Sequence, residues 1–164
     1  MTYDEIRVRR VAPGDAIELE RFYAGLSADA RALRFHGACL GISHERAAEF
    51  AAADHQRRDG FVAVGDGRIL GHLVLEPLSY GVEEVAVAVD DRFQHHGVGT
   101  LLMAAAVASA RLRGVARLVA WVKAENGPMR HLLASSRHGL RITWDGLTAR
   151  YELTVPPAVA RPAA

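Results

Sequence analysis

The chain contains one cysteine, Cys39, among 164 residues. A lone cysteine cannot close an internal disulfide, and without neighbouring Cys or His it does not form a zinc site. This fits a reducing compartment, and Cys39 reads equally as a small buried filler or a reactive thiol. Aromatic residues make up only 7% of the chain and the formal net charge is +1. The basic stripe with interleaved aromatics of a nucleic-acid binder is missing. Long apolar runs are missing too. The longest, Leu101 to Ala110, is Ala-rich and too short to span a bilayer. Met1 to Arg10 alternates charged and apolar residues, unlike a secretory leader. Eight histidines occur at no metal-ligand spacing. These absences point to a cytoplasmic protein with no metal, no membrane and no nucleic-acid partner. Half the residues are apolar and 24% are charged, the composition of a globular protein with a core.

The order of elements reads as mixed α/β. Glu5 to Val11 alternates with period two, as a half-buried strand does. Pro13-Gly14-Asp15 breaks it, with Asp15 placed to cap a helix over 16–26. Ser27 and Ser43 are placed to cap helices over 28–35 and 44–56. Runs 61–64 and 69–75 flank Gly65-Asp66-Gly67, which is hairpin chemistry, and 82–89 reads as a further strand. A helix over 101–113 ends at Gly114, where a left-handed cap is expected. A strand over 116–122 and a helix from Pro128 to about 136 follow. Runs 139–144 and 147–154 flank Asp145-Gly146, a strong hairpin signal. Residues 1–155 read as one domain, and the Pro/Ala-rich tail 156–164 as disordered.

One segment carries chemistry. Gln94-His95-His96-Gly97-Val98-Gly99-Thr100 lies between a strand and a long helix. A helix start exposes N–H groups without internal partners, and its dipole favours negative charge. Glycines at 97 and 99 let a phosphate approach the main chain. A Gly-x-Gly alone also suits a plain tight turn, and the two readings weigh about evenly on spacing. There is no Gly-Lys-Ser/Thr of a P-loop and no third glycine of a dinucleotide fingerprint.

In context, Gln94-x-x-Gly97-x-Gly99 resembles the Arg/Gln-x-x-Gly-x-Gly/Ala signature of the GNAT superfamily of acetyltransferases. Asn126, with Met129 and Leu133, resembles the family's second cofactor motif. Leu26 to Phe35 and Glu84 to Val89 resemble segments of bacterial Pat-type protein-lysine acetyltransferases. The resemblance covers about residues 6–155. It implies a GNAT fold, with a twisted mixed sheet of about six to seven strands and about four helices. It also implies acetyl-CoA as co-substrate. Val87 and Val89 would meet the pantetheine arm through their main chain, His95 to Thr100 would hold the pyrophosphate, and Asn126 would bond the arm.

The same resemblance makes Glu84 the general base that frees an attacking amine of its proton, with a solvent-exposed strand residue as the plain alternative. Glu83 falls on the other face of the strand. The Val87 N–H is placed to meet the developing oxyanion. Many relatives have a tyrosine where this chain has Leu133, so no general acid is assigned. His95 and His96 add partial positive charge near phosphate or are simply solvated. Arg34-Phe35-His36 walls the acceptor site or merely ends a helix. The implied acceptor is a protein lysine, with a small amine as the alternative. A non-catalytic acyl-CoA-binding module is the rival from another class. Monomer and homodimer both stay open.

Overall fold

A computed structural model describes residues 6–136 and 139–158. Of the tail expected to be disordered, 159–164 lies outside the described residues. Seven strands form a single sheet in the order β1-β2-β3-β4-β5-β7-β6. They are β1 (Arg7–Arg10), β2 (Asp59–Gly65), β3 (Arg68–Ser79), β4 (Val82–Val89), β5 (Arg117–Lys123), β6 (Leu140–Asp145) and β7 (Thr148–Thr154). The helices are α1 (Ala16–Gly25), α2 (Ala28–Phe35), α3 (His44–Ala51), α4 (Val98–Leu112) and α5 (Gly127–Ala134). The mixed α/β class and the strand number match expectation; among the described residues there are five α-helices where about four were expected.

Two apolar layers sandwich the sheet. On one face Leu102, Met103 and Ala106 of α4 and Leu133 of α5 pack on Leu73, Leu75 and Val85. On the other, Leu19, Phe22 and Tyr23 of α1 and Phe50 of α3 pack on Val62, Val74 and Ala88. The hairpins form where the turn chemistry places them. Asp66 and Gly67 both take positive φ between β2 and β3, as does Gly146 between β6 and β7. Ser27 Oγ accepts from Ala30 N–H, and Ser43 Oγ from Arg46 N–H, so both serine caps exist.

One cap and two helix boundaries differ from the sequence reading, each for a local reason. Asp15 makes no cap bond to α1. Its carboxylate instead takes both guanidinium nitrogens of Arg9 at 2.7 Å and the Ala12 N–H at 2.8 Å, tying the turn back to β1. Helix α3 stops at Ala51, well short of 56. Asp54 Oδ1 there accepts the N–H groups of Gln56, Arg57 and Arg58, a local alternative to helix that such side chains offer. Those bonds pull the Asp54 carboxyl down to about 2. Helix α4 begins at Val98, three residues earlier than expected, because Gly97 turns the chain in the left-handed region at φ +82°.

A buried polar cluster joins β2 to α4. Asp59, fully buried, accepts from Ser109 Oγ and lies 2.6 Å from His55 Nδ1. Arg113 forms a two-pronged bridge to Glu83 and stands 3.8 Å from Asp59. Burial pushes the Asp59 carboxyl up, but bonds from Ser109, His55 and the Gly60 N–H outweigh it, and its pKa ends below the ordinary value. Removing one member of such a cluster strands the others without water. Asp59→Ala should therefore lose about 3–5 kcal/mol of unfolding free energy, read from urea titration. A loss under about 0.5 kcal/mol, the usual range for surface sites, would sink this account.

On the opposite face His72 is fully buried and its Nδ1 lies 2.9 Å from the Tyr23 hydroxyl. Burial, with the Arg34 charge acting in the same direction, pushes the imidazole down to about 3. The unfolded chain binds this proton near 6.5 and the folded chain resists it, so stability is present above 6.5 and falls as pH drops toward 3. The depressed carboxylates Asp15, Asp54, Asp59 and Asp90 start from 3.8 and Glu152 from 4.5, so they act in the lower part of that range. Between 6.5 and 4.5 His72 should contribute a slope approaching about 1.4 kcal/mol per pH unit. Urea titrations across that window should show His72→Gln with a shallower slope than wild type; equal slopes would refute it.

Candidate active site

Strand β4 pairs with β3 along its whole length, from Val82 to Val89. It pairs with β5 only through Val82, Glu83 and Glu84, while β5 runs on to Lys123 beside β7. The two parallel strands therefore part just after Glu84, and the β5-facing backbone edge of 85–89 is left without a strand partner. Such an edge can accept an extended, amide-bearing ligand as an added strand.

A cleft of about 200 Å³ opens along this gap. Val87, Val89, Gln94, His95, Gly97, Gly99, Thr100 and Asn126 line it. At its α4 end, Leu101 N–H makes the first helical bond, to Gly97 O at 3.0 Å. The N–H groups of Val98, Gly99 and Thr100 ahead of it have no partner inside the helix. No acidic residue occupies this first turn. A Cβ built on Gly97 meets nothing within 4 Å, so the space beside the turn is open. On Gly99 it would come within 3.2 Å of Leu132 Cδ2. These N–H groups, the helix dipole and the open space fit the pyrophosphate of a coenzyme A.

Two segment residues do not face the cleft with their side chains. The Val98 side chain is 1% exposed and packs in the core, leaving only its backbone N–H for a ligand. His96 is folded back so that Nδ1 lies 2.6 Å from Gln94 O. The Gln94 amide also turns inward, toward Val89 O at 3.4 Å. Asn126 caps α5, its Oδ1 accepting the Met129 N–H at 3.1 Å. What remains for a ligand is its amide N–H₂ donor.

A second cleft, of about 220 Å³, continues past the point of divergence. Glu84, half-buried, lines it with Ala86, Trp121, Phe35 and His36. Leu33, Arg34, Val87, Asn126 and Met129 line both clefts. Glu83, one residue from Glu84, points to α4 and its bridge with Arg113, as strand alternation requires.

Other lining residues were not singled out from sequence: Ala30 and Leu33 of α2, Phe93, and Pro128, His131, Leu132 and Ser135 around α5. The signal for α2 lay in its pattern. It is amphipathic yet buries no residue completely, because its apolar side borders the cleft. Leu133, placed by resemblance where relatives have a tyrosine, is fully buried in the core. The α5 side chains facing the cleft are Met129 and Leu132, and no tyrosine lines either cleft.

A divergent strand pair beside a helix start with free N–H groups, on a seven-stranded mixed sheet, is the architecture of an acyl-CoA-using transferase. The GNAT domain of PAT from S. lividans has the same fold, with a TM-score of 0.84 at 25% identity over 91% of this chain and 90% of that one. A putative acetyltransferase from Salmonella typhimurium, yncA, with its cofactor acetyl-CoA, superposes with a TM-score of 0.74 at 19% identity, over 97% and 98% of the two chains. A cAMP-binding acyltransferase from Mycobacterium smegmatis gives 0.63 at 24% identity, covering 97% of this chain and 46% of that one. None of the curated proteins matches the sequence. The model of the acetyltransferase (GNAT) family matches residues 19–139, and the chain belongs to that family. It is an acetyl-CoA-dependent acetyltransferase. Among the described residues no cluster of His, Cys, Asp or Glu is fit to hold a metal ion, and no helix is long and apolar enough to cross a membrane.

Proposed function

We propose that the protein moves the acetyl group of acetyl-CoA to a primary amine on a protein lysine, with Glu84 as general base. The observation that carries this is the position of Glu84. It is the last β4 residue paired with β5, and it lines the cleft that continues from the cofactor cleft.

Acetyl-CoA supplies a thioester carbonyl as electrophile and a thiol as leaving group. The first cleft would hold it by the N–H groups of 98–100 at the pyrophosphate, by the free β4 edge along the arm, and by the Asn126 amide. An ammonium group entering the second cleft is attracted by the Glu84 carboxylate. Transfer of its proton to Glu84, directly or through one water, leaves a nucleophilic amine. The Val87 N–H would donate to the carbonyl oxygen as negative charge develops there. With no phenol lining the clefts, the sulfur leaves as thiolate; thiols of ordinary pKa about 8.5 do so without a strong acid.

Trp121 is 42% exposed, and three sheet residues on its side of β5 and β7, Arg117, Arg150 and Glu152, form a linked ion-pair group. This open surface beside the second cleft supports a protein acceptor. The test is thiol release and acetyl incorporation with lysine peptides, intact proteins and a panel of small amines. Turnover confined to small amines would overturn the protein-lysine assignment.

A further inference from the structure

Two arginines of α2 sit three residues apart and behave differently. Arg31 donates to the carbonyls of Cys39, Ala24 and Leu26, and so ties the loop after its helix to the end of α1 and the junction before α2. Arg34 has no such role. Its guanidinium carbon lies 4.9 Å from the Phe35 ring centre and 6.0 Å from that of Phe50. Its Nε is buried with no hydrogen-bond partner. Among the described residues, no carboxylate lies within ion-pair distance of it.

Aromatic faces offset part of the cost of withdrawing a guanidinium from water, and the Tyr23 hydroxyl takes one hydrogen bond from it, but Nε is left without a partner and no anion balances the charge. A cation held this way, at the wall of a cleft, attracts an anion. Glu84 lines the same cleft and likewise has no ion-pair partner among the described residues. The second cleft thus presents one unpaired anion and one unpaired cation, and the two are not paired with each other.

We infer that Arg34 is a specificity residue that binds a carboxylate carried by the acceptor, so that the acceptor is an amine and a carboxylate in one molecule or one peptide segment. This rests on the acetyl-transfer reading and narrows its substrate class. A guanidinium fork matches the two oxygens of a carboxylate, and a single arginine balances a single negative charge. The pyrophosphate of the cofactor is served by the helix start of α4, so Arg34 is not required there. Two sources supply this chemistry: a free ω-amino acid, or a lysine beside an acidic residue in a peptide.

The experiment compares ligands that differ only in the carboxylate. ω-Amino acids of increasing chain length are set against their primary amides. A lysine peptide with Glu beside the acceptor is set against the same peptide with Gln. Dissociation constants are measured on the CoA-loaded protein, and kcat/KM is measured separately. Wild type should prefer the carboxylate member of at least one pair by about tenfold or more, as expected for a partly desolvated charge pair. In Arg34→Gln that ratio should fall toward one, and Arg34→Lys should keep part of it.

Equal binding of both members of every pair to wild type overturns the inference without any variant. So does a ratio unchanged in Arg34→Gln, or a loss confined to acetyl-CoA affinity. A carboxylate preference in binding with no turnover of any amine would uphold Arg34 and overturn the acetyl-transfer reading instead.

Discussion

Replacing Glu84 with Gln should lower kcat/KM for the amine by about 10²–10⁴-fold, the usual worth of a positioned general base. Gln keeps the size of the side chain and its acceptor oxygen but cannot take a proton. Acetyl-CoA affinity should be unchanged, because the N–H groups at the start of α4 and the free edge of β4 are untouched. The residual rate should climb with pH as more of the amine reaches the site already deprotonated. Glu83→Gln is the matched comparison. Glu83 is 5% exposed, faces α4 and is bridged to Arg113. Its loss should appear as lower stability in urea, with the pH–rate profile of wild type. Full turnover by Glu84→Gln at neutral pH with a confirmed acceptor would remove Glu84 from the chemistry.

That contrast between adjacent glutamates was legible in the sequence, because strand alternation alone sends them to opposite faces. The hairpins at Asp66-Gly67 and Asp145-Gly146, the serine caps and the Gly114 stop were legible for the same reason. Each depends on residues within one turn of itself. What could not be read depended on partners distant in the chain. Asp15 looks like a helix cap until Arg9, brought beside it by β1, takes its carboxylate. Ala30 and Leu33 stand out in the sequence only as part of the segment from Leu26 to Phe35, and the parting of β4 from β5 is what leaves a cleft beside them. Resemblance places Leu133 where relatives have a tyrosine, but the rotation of α5 sends it into the core and turns Met129 and Leu132 toward the cleft. Arg34-Phe35-His36 reads from sequence as either an acceptor-site wall or a plain helix end, and the structure places all three along the second cleft. The unpaired state of Arg34 needs the positions of Phe50 from α3 and of every nearby carboxylate.

Gly97→Glu should weaken acetyl-CoA binding by about 100-fold or more, roughly 2.7 kcal/mol, with the fold retained. Gly97 is the N-cap of α4, in the left-handed region at φ +82°. A side chain there is strained by about 1–2 kcal/mol, and Gly97→Ala measures that part alone. The space a Cβ would enter is empty within 4 Å, so Gly97→Ala displaces no protein atoms and Gly97→Glu starts into open space. The glutamate adds a negative charge beside the free N–H groups of 98–100, in a first turn that has no acidic residue. It competes for those N–H groups and repels a pyrophosphate. Calorimetric titration should therefore show Gly97→Ala binding acetyl-CoA more tightly than Gly97→Glu, and thermal melting should place the two variants close together. S-acetyl-pantetheine has the same arm and thioester but no pyrophosphate, so its affinity should be the same in both variants. Equal acetyl-CoA affinity in folded Gly97→Glu and wild type would show that the phosphates lie elsewhere. A parallel loss of S-acetyl-pantetheine would show that the turn positions the arm through its shape, and that charge at the α4 start is not what holds the cofactor.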